Sequence, residues 1–239
     1  EANKEGLSGI ETQAIAGTGV HRILGFPPEL EETDYYQLLL DAFPEFSRNE
    51  LDKSSTRAIA AFERTILANK SPFQRFIRGD ESAMSDQEYA GGQVFFGEGG
   101  CVACHQGPAL SSPVGATEDQ VFFAVGFDDL DINEIIGQVG DGVRLGRGGL
   151  TGESDDNYKF KVPQLYNLAD INVFGHGGSF SSVRQVVEYK NAGVAQNEAS
   201  ASNLDYRFMP LNLTATQIDD LLVFLEASLK DPELMRYEP

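Results

Sequence analysis

The sequence predicts an all-α protein with long irregular loops. Apolar residues recur at helical spacing in several segments, each bounded by capping residues, glycine or proline. Between Gly107 and Leu165 the composition shifts to Gly, Asp and Pro, which predicts long loops and a short strand pair around Val121 to Val125. Loops of that length usually enclose another part of the molecule or a bound group.

Two helices are predicted in the N-terminal part of the chain. One starts at Glu31 and stops before Pro44, because the residue before a proline is pushed out of the helical region. The other covers residues 49 to 69, and its apolar stripe is expected to be buried. The members of that stripe are Ile59, Phe62, Ile66 and Leu67.

Three further helices follow. Ser85 and Glu88 have the spacing of a capping box, so a helix is predicted to begin there and to end at the glycines before Cys101. Ser182 is expected to cap the next helix, and a last helix starts near Thr214. A helix end therefore delivers the chain directly to Cys101.

Charge and composition exclude several classes of protein. The 239 residues are 41% apolar, as in an ordinary folded domain, and no apolar run approaches the ~20 residues of a membrane span. The 18 Lys and Arg residues against 37 Asp and Glu give a net charge of −19, which repels nucleic acid and attracts cationic partners. Two cysteines are too few for a disulfide framework.

Both cysteines belong to the sequence CVACH at residues 101–105, the C-x-x-C-H signature of c-type haem attachment. Two thiols at this spacing can both add to the haem vinyl groups, and His105 is then placed to ligate the iron. A structural zinc site would need four N or S ligands, and only His21 and His176 could complete it. A thioredoxin-like pair would need a βαβ context, which the flanking helices do not offer. The motif predicts haem c held by both cysteines.

The second axial ligand separates electron transfer from catalysis. Met209 lies a few residues before the last helix, where its thioether could reach an iron, or it is a core or loop methionine. His176, in a glycine-rich turn, is either a ligand or a hydrogen-bonding group beside one. Asp129, Asp131 and Asn133 have the early spacing of a calcium loop, but the turn glycine and final glutamate of an EF-hand are missing. The residues alone leave this ligand open.

Beyond the motif, nearly the whole chain resembles the bacterial dihaem cytochrome c peroxidases and their MauG-like relatives, specifically their C-terminal haem domain. The order and spacing of the matching segments are more specific than a haem motif alone. Besides the haem motif and its preceding glycines, these segments are AIAAFERTI at 58–66, SPF at 71–73, RGD at 78–80, GR at 146–147, TG at 151–152, FKVP at 160–163 with Leu165 and Asn167, and HGG at 176–178.

The resemblance implies a cytochrome c-like haem domain over residues 49–239. Residues 1–48 would be a lead-in segment that belongs with an upstream haem domain outside this chain. In that family the N-terminal haem reacts with peroxide, and the C-terminal haem relays electrons from a small donor protein. Because this chain carries only the second C-x-x-C-H motif, it is expected to be the relay half with one covalent haem c. A calcium ion at the interdomain interface is a further expectation.

The chain departs from the family pattern at the second axial ligand. Counting fourteen residues from His176 reaches Lys190, where the peroxidases carry a methionine and MauG-like proteins a tyrosine. Lys190 is therefore the first candidate for this ligand. The alternative is that Lys190 is a surface lysine and the position is open or is filled by Tyr189 or Met209. A lysine amine must lose its proton to bind iron, so its surroundings would have to depress its pKa.

Two further departures concern residues near the haems. Ile15 stands where the peroxidatic glutamate is expected, and Glu11 or His21 could substitute only by facing the other haem. Tyr166 replaces a common arginine. These positions leave peroxidase chemistry without an assigned acid in this chain.

The function predicted first is electron relay in an oxidoreductase of the dihaem peroxidase or MauG type. Arg147 and Lys161 are expected at the haem propionates, because arginine pairs with carboxylates bidentately. The alternative is a non-enzymatic monohaem carrier or a redox subunit of a larger complex. An acidic surface predicts a basic donor, a cytochrome c or cupredoxin. Covalent haem attachment predicts a bacterial periplasmic or cell-surface location, with neither nucleic acid nor a membrane span involved.

Overall fold

The computed structural model describes residues 9–20, 31–47, 50–112, 115–127 and 141–234. Helices dominate these ranges, and a pair of short antiparallel strands accompanies them. None of the helices in these ranges has the length and apolar character needed to cross a bilayer. The prediction of a mainly helical protein with a short strand pair is confirmed. The chain divides into two compact units, Glu1–Leu67 and Ala68–Pro239.

The first unit contains α1 (Gly9–Val20), α2 (Asp34–Ala42) and α3 (Leu51–Glu63), and α3 packs against both of the others. α2 confirms the helix predicted between Glu31 and Pro44. α1 was not predicted, because its sequence has no periodic apolar face. Because α3 packs on α1 and α2, the observed boundary between units falls after Leu67 and not after residue 48.

The predicted apolar stripe of α3 is not its buried face. Ile59, Phe62 and Ile66 are 38%, 48% and 38% exposed. Small residues form the buried face instead, namely Ser54, Ser55, Thr56 and Ala60. The Ser54 hydroxyl donates to the Leu51 carbonyl at 3.1 Å, so its polar group is satisfied within the helix. Close packing of small side chains therefore overrides the hydrophobic pattern.

The second unit is built around two crossing helices and a strand pair. In chain order its elements are α4 (Pro72–Ile77), α5 (Asp86–Phe96), β1 (Phe122–Ala124), α6 (Asp141–Arg144), α7 (Arg147–Thr151), β2 (Lys159–Lys161), α8 (Val183–Ala192) and α9 (Ala215–Val223), which continues as a π-helical turn over Phe224–Ser228. β1 and β2 pair antiparallel with Phe123 opposite Phe160.

The predicted helix starts are confirmed by their capping contacts. The Ser85 hydroxyl accepts from the Glu88 N–H at 3.3 Å, and the Glu88 carboxylate accepts from the Ser85 N–H at 2.7 Å. Thr214 begins α9 with the same reciprocal arrangement, and the Ser182 hydroxyl caps α8. These local contacts fix where α5, α8 and α9 begin.

The crossing of α5 and α9 depends on glycine. A Cβ placed on Gly91 would lie 2.0 Å from the carbonyl oxygen of Asp220, so the two backbones can approach this closely only without a side chain there. The neighbouring Gly92 is less restricted, because a Cβ there would meet the Phe224 ring at 3.4 Å, an ordinary contact. Phe224 is fully buried, and its ring packs against Phe73 and Phe95 at centroid distances of 5.3 and 5.4 Å.

Asp231 ties the end of the second unit to its beginning. Its carboxylate, in a residue only 1% exposed, accepts the backbone N–H groups of Asn69 and Lys70, both at 2.8 Å. Its own N–H donates to the Asn167 side chain at 3.0 Å. Buried polar groups of this kind need their partners, so the tail after α9 is fixed in place.

Gly91→Ala is expected to destabilise the full chain by about 3 kcal/mol, the upper end of overpacking costs, because α9 must move away from α5. Gly92→Ala is the matched control in the same helix, and its new methyl group makes an ordinary contact. Urea unfolding monitored by circular dichroism measures both variants. Equal stability of the two would show that the close approach at Gly91 is not required.

Candidate haem-binding site

Glycines shape the loop that carries the C-x-x-C-H motif. α5 ends at Phe96, and Gly100 adopts a left-handed conformation with φ of 60°. One turn of 3-10 helix, Cys101–Ala103, follows at once, and the His105 N–H donates to the Cys101 carbonyl at 2.9 Å. The prediction that a glycine break after α5 delivers the chain to Cys101 is confirmed.

Both thiols are reduced and half-buried. Burial raises the pKa of Cys101 to about 11 and also raises the pKa of Cys104, because desolvation disfavours the thiolate. Neither cysteine therefore has the depressed pKa of a reactive redox thiol. Within the described ranges, no three or more His, Cys, Asp or Glu side chains form a group that could hold a metal ion.

The His105 ring is oriented by the turn that follows it. Its Nδ1 lies 2.9 Å from the carbonyl oxygen of Leu110, a residue held at a φ of 47°. Burial lowers the pKa of His105, although the Leu110 and Pro163 carbonyls beside the ring act in the opposite direction. A carbonyl oxygen only accepts hydrogen bonds, so Nδ1 donates to Leu110. The ring is thus prepared to act as a metal ligand through Nε2.

Lys190 lies in the last turn of α8 with its ammonium group among aromatic rings. Nζ is 4.9 Å from the ring centroid of Phe127, 5.0 Å from that of Phe208 and 5.8 Å from that of Tyr189. Burial lowers the pKa of Lys190 to about 8, and the charge of this group acts on both cysteines and on His105. The structure therefore brings Lys190 to the haem motif.

Two alternatives for the second ligand are placed differently. The Tyr189 hydroxyl donates to the Val125 carbonyl at 2.6 Å, and burial raises its pKa to about 12. Its ring stacks on Phe127 at a centroid distance of 5.4 Å. Met209 is 56% exposed. The Tyr189 hydroxyl is already hydrogen-bonded to a backbone carbonyl, and the Met209 side chain is exposed to solvent.

Arg207 is a site residue that the sequence predictions missed. Its guanidinium makes two hydrogen bonds with the Asp205 carboxylate, at 2.7 and 2.8 Å, and a third with the Ala103 carbonyl at 3.3 Å. It also lies over the Phe123 ring at 4.3 Å. Arg207 thus joins β1, the segment after α8 and the C-x-x-C-H loop. The sequence signal is only an Asp-x-Arg pair, which carries no information about Ala103.

The remaining predicted site residues surround the β1–β2 pair. Arg147 Nε donates to the Asp156 carboxylate at 2.9 Å, and its guanidinium lies 4.6 Å from the Phe122 ring centroid. The exposed Lys161 lies on β2, and the His176 ring stacks on Phe160 at 4.1 Å. The predicted roles of Arg147, Lys161 and His176 toward haem stay predictions.

Residues predicted near a second haem or a calcium ion are placed as follows. The Tyr166 hydroxyl donates to the Pro108 carbonyl at 3.1 Å, within the loop after His105. Glu11 pairs with Arg64 in the first unit at 2.5 Å, and Ile15 is 38% exposed. His21 and the calcium-like group Asp129, Asp131 and Asn133 lie outside the described residues.

The mainly helical fold and the C-x-x-C-H loop define a c-type haem protein. The family model of the di-haem cytochrome c peroxidases matches residues 19–82. The chain is 30% identical over 203 residues to the cytochrome-c peroxidase IdrP1 of Denitromonas iodatirespirans, covering 76% of this chain and 51% of that protein. It is 29% identical over 179 residues to the methylamine utilization protein MauG of Methylorubrum extorquens, covering 74% and 44%. The chain is thus similar to the dihaem cytochrome c peroxidases and MauG-like proteins, as the sequence motifs predict.

Solved structures share the fold. A MauG-like protein associated with microbial copper homeostasis superposes with a TM-score of 0.62 at 24% identity, over 79% of this chain and 59% of that one. The diheme peroxidase BthA of Burkholderia thailandensis superposes with a TM-score of 0.63 at 18% identity, over 88% and 59%. The chain spans between 44% and 62% of the length of four curated relatives, three cytochrome-c peroxidases and a MauG protein.

Arg207→Met is expected to destabilise the chain by about 2 kcal/mol, because it leaves the Asp205 carboxylate and the Ala103 carbonyl without their donor. Thermal unfolding and the rate of proteolysis in residues 99–112 measure the effect. The control is Arg184→Met, which removes a solvent-exposed ion pair with Asp219 and should cost less than about 0.5 kcal/mol. If both variants lost the same stability, Arg207 would be an ordinary surface arginine.

Proposed function

We propose that this chain is the electron-transfer haem c domain of a dihaem cytochrome c peroxidase-like or MauG-like oxidoreductase. The observation that carries the proposal is the geometry of one loop, which presents two half-buried thiols and an imidazole oriented through its Nδ1 by the Leu110 carbonyl. Similarity to the dihaem cytochrome c peroxidases supports the same conclusion. The cytochrome c-like character of the second unit is part of this proposal.

Three residues would hold the haem. The Cys101 and Cys104 thiols would add across its vinyl groups, each forming a C–S bond while the thiol hydrogen goes to the neighbouring vinyl carbon, so no oxidant is needed. His105 would ligate the iron through Nε2, with its orientation fixed by the Leu110 carbonyl. When bound, the haem supplies one-electron transfer between ferric and ferrous iron. The Phe95 ring, 6.5 Å from the His105 ring, contributes an apolar wall that keeps water away.

Arg147 and Lys161 are proposed to meet the haem propionates. Both residues flank the β1–β2 pair. This pair is connected to the loop that follows His105, because the Ser111 hydroxyl donates to the Val162 carbonyl just after β2 at 3.0 Å. Arg147 already shares its Nε with Asp156, so a propionate would have to bind at another face of the guanidinium. His176, stacked on Phe160, is proposed to act beside this pair.

Residues 1–48 are proposed to interact with an upstream haem domain where peroxide reacts. The match of the family model to residues 19–82, which overlaps this segment, supports the proposal. Glu11 is committed to Arg64, so it is not assigned to peroxide chemistry. A calcium ion has no proposed ligands among the described residues.

Peroxide turnover distinguishes this proposal from the alternative of a monohaem carrier, which the peroxidase and MauG relatives do not favour. The purified protein is mixed with peroxide in a stopped-flow instrument, and haem is counted per polypeptide. One low-spin haem without turnover, even when the native upstream partner is supplied, would overturn the enzymatic role and favour the carrier.

His105→Ala is expected to abolish the low-spin haem spectrum while leaving the thioether bonds intact, because only the iron–imidazole bond is lost. Intact mass spectrometry should show the polypeptide plus one haem for both the wild type and this variant. His176→Gln is the matched histidine control and should keep the low-spin spectrum, since that ring stacks on Phe160. A polypeptide that carries no covalent haem would contradict the proposed function.

A basic donor protein, a cytochrome c or cupredoxin, is proposed to reduce this haem in the bacterial periplasm. The net charge of −19 should attract such a donor, so the second-order reduction rate is expected to fall about tenfold or more from low to high salt. Stopped-flow absorbance measures the rate, and an acidic donor of similar potential serves as the control. A rate that rises with ionic strength for the basic donor would contradict electrostatic attraction.

A further inference from the structure

Within the described ranges, Lys190 combines partial burial with the lack of a carboxylate partner, whereas Lys161, which also lacks one, is exposed. Among the salt bridges of the described residues, none involves Lys190. Four other lysines each pair with a carboxylate, namely Lys53, Lys70, Lys159 and Lys230. The neighbouring carboxylate, Asp205, makes both of its short hydrogen bonds to Arg207. A partly buried amine without an ion pair needs another partner.

The aromatic rings around Lys190 Nζ supply only part of the stabilisation that this amine requires. Phe127 and Phe208 lie 4.9 and 5.0 Å from Nζ, and cation–π contacts of this kind contribute on the order of 1 kcal/mol. Rings also exclude water, so they leave the nitrogen lone pair available once the proton is lost. Phe208 directly follows Arg207, whose guanidinium donates to the Ala103 carbonyl inside the haem motif at 3.3 Å, so the rings around Lys190 adjoin that motif.

The backbone on both sides of Lys190 is held by tertiary contacts. The preceding Tyr189 is fixed by its hydrogen bond to the Val125 carbonyl. The following Asn191 accepts the Leu213 N–H on its side chain at 2.8 Å and the Leu211 N–H on its carbonyl at 3.1 Å. α8 then ends in a left-handed Gly193. The position from which the Lys190 side chain extends is therefore rigid.

From these contacts we infer that Lys190 Nζ is the second axial ligand of the haem iron in this chain. The inference rests on the proposed function and names one ligand of that site. Met209, the thioether alternative, is mostly solvent-exposed, and the Tyr189 hydroxyl is occupied by a backbone carbonyl. The amine binds iron through its lone pair, so its proton goes to solvent on binding.

Selective ¹⁵N-lysine labelling tests the ligand directly. The full chain is produced with covalent haem, once with labelled and once with unlabelled lysine, and the ferric low-spin state is studied by pulsed electron paramagnetic resonance. If Lys190 binds the iron, a strongly coupled ¹⁵N nucleus replaces one strongly coupled ¹⁴N nucleus, while the His105 nitrogen stays ¹⁴N. An unchanged ¹⁴N pattern in a haem-loaded, low-spin protein overturns the lysine ligand and leaves the proposed function intact.

Variants provide an independent readout. Lys190→Ala should lose the ¹⁵N coupling and the native low-spin signal, and Lys190→Met should replace them with the near-infrared band of thioether ligation. Met209→Leu and Lys70→Ala are matched controls that should keep the wild-type signals, since Lys70 pairs with Glu233 on the surface. Loss of the low-spin signal in Met209→Leu but not in Lys190→Ala overturns the inference. Absence of covalent haem from the wild-type chain overturns both this inference and the proposed function.

Discussion

The close approach of α5 and α9 at Gly91 is the constraint on which the second unit depends. With no side chain at Gly91, α5 lies directly on the Asp220 carbonyl, and Phe224 fills the space beside it. That crossing fixes the end of α5 and therefore the point at which the chain leaves toward Cys101. The Phe95 ring on the same helix packs on Phe224 on one side and approaches His105 on the other. Helix packing thus sets the position of the candidate haem ligand.

The loop that carries the C-x-x-C-H motif, residues 99–112, is held by side chains from distant segments that donate hydrogen bonds to its backbone carbonyls. Arg207 donates to Ala103, and Tyr166 donates to Pro108. His105 donates to Leu110 within the loop itself. An irregular loop lacks the regular backbone hydrogen bonds of a helix or a strand, so its carbonyl groups need such donors. Because these donors come from separate parts of the second unit, the positions of the thiols and the imidazole depend on the folding of that unit.

Features that depend on local chemistry were predicted well from the sequence, whereas features that depend on tertiary contact were not. The capping box at Ser85 and the C-x-x-C-H motif act through residues a few positions apart, so their spacing is sufficient to recognise them. Gly91 looks unfavourable within a helix until α9 is placed against it. The prediction that the stripe containing Ile59 is buried was wrong, because the buried residues of α3 are small ones that pack closely. Arg207 was missed because its target, Ala103, is a backbone carbonyl that no sequence pattern marks.

The two basic side chains beside the haem motif, Arg207 and Lys190, differ in how their charges are paired. Asp205 could neutralise either Arg207 or Lys190, but the planar guanidinium binds both carboxylate oxygens at once, which a lysine ammonium cannot do. The carboxylate therefore stays with Arg207, and that pair stabilises the loop. Lys190 is left with ring faces and, among the salt bridges of the described residues, no carboxylate, and its partial burial makes the charge costly. The same pairing preference that builds the loop thus leaves Lys190 without a carboxylate, which is the basis of its proposed role as an iron ligand.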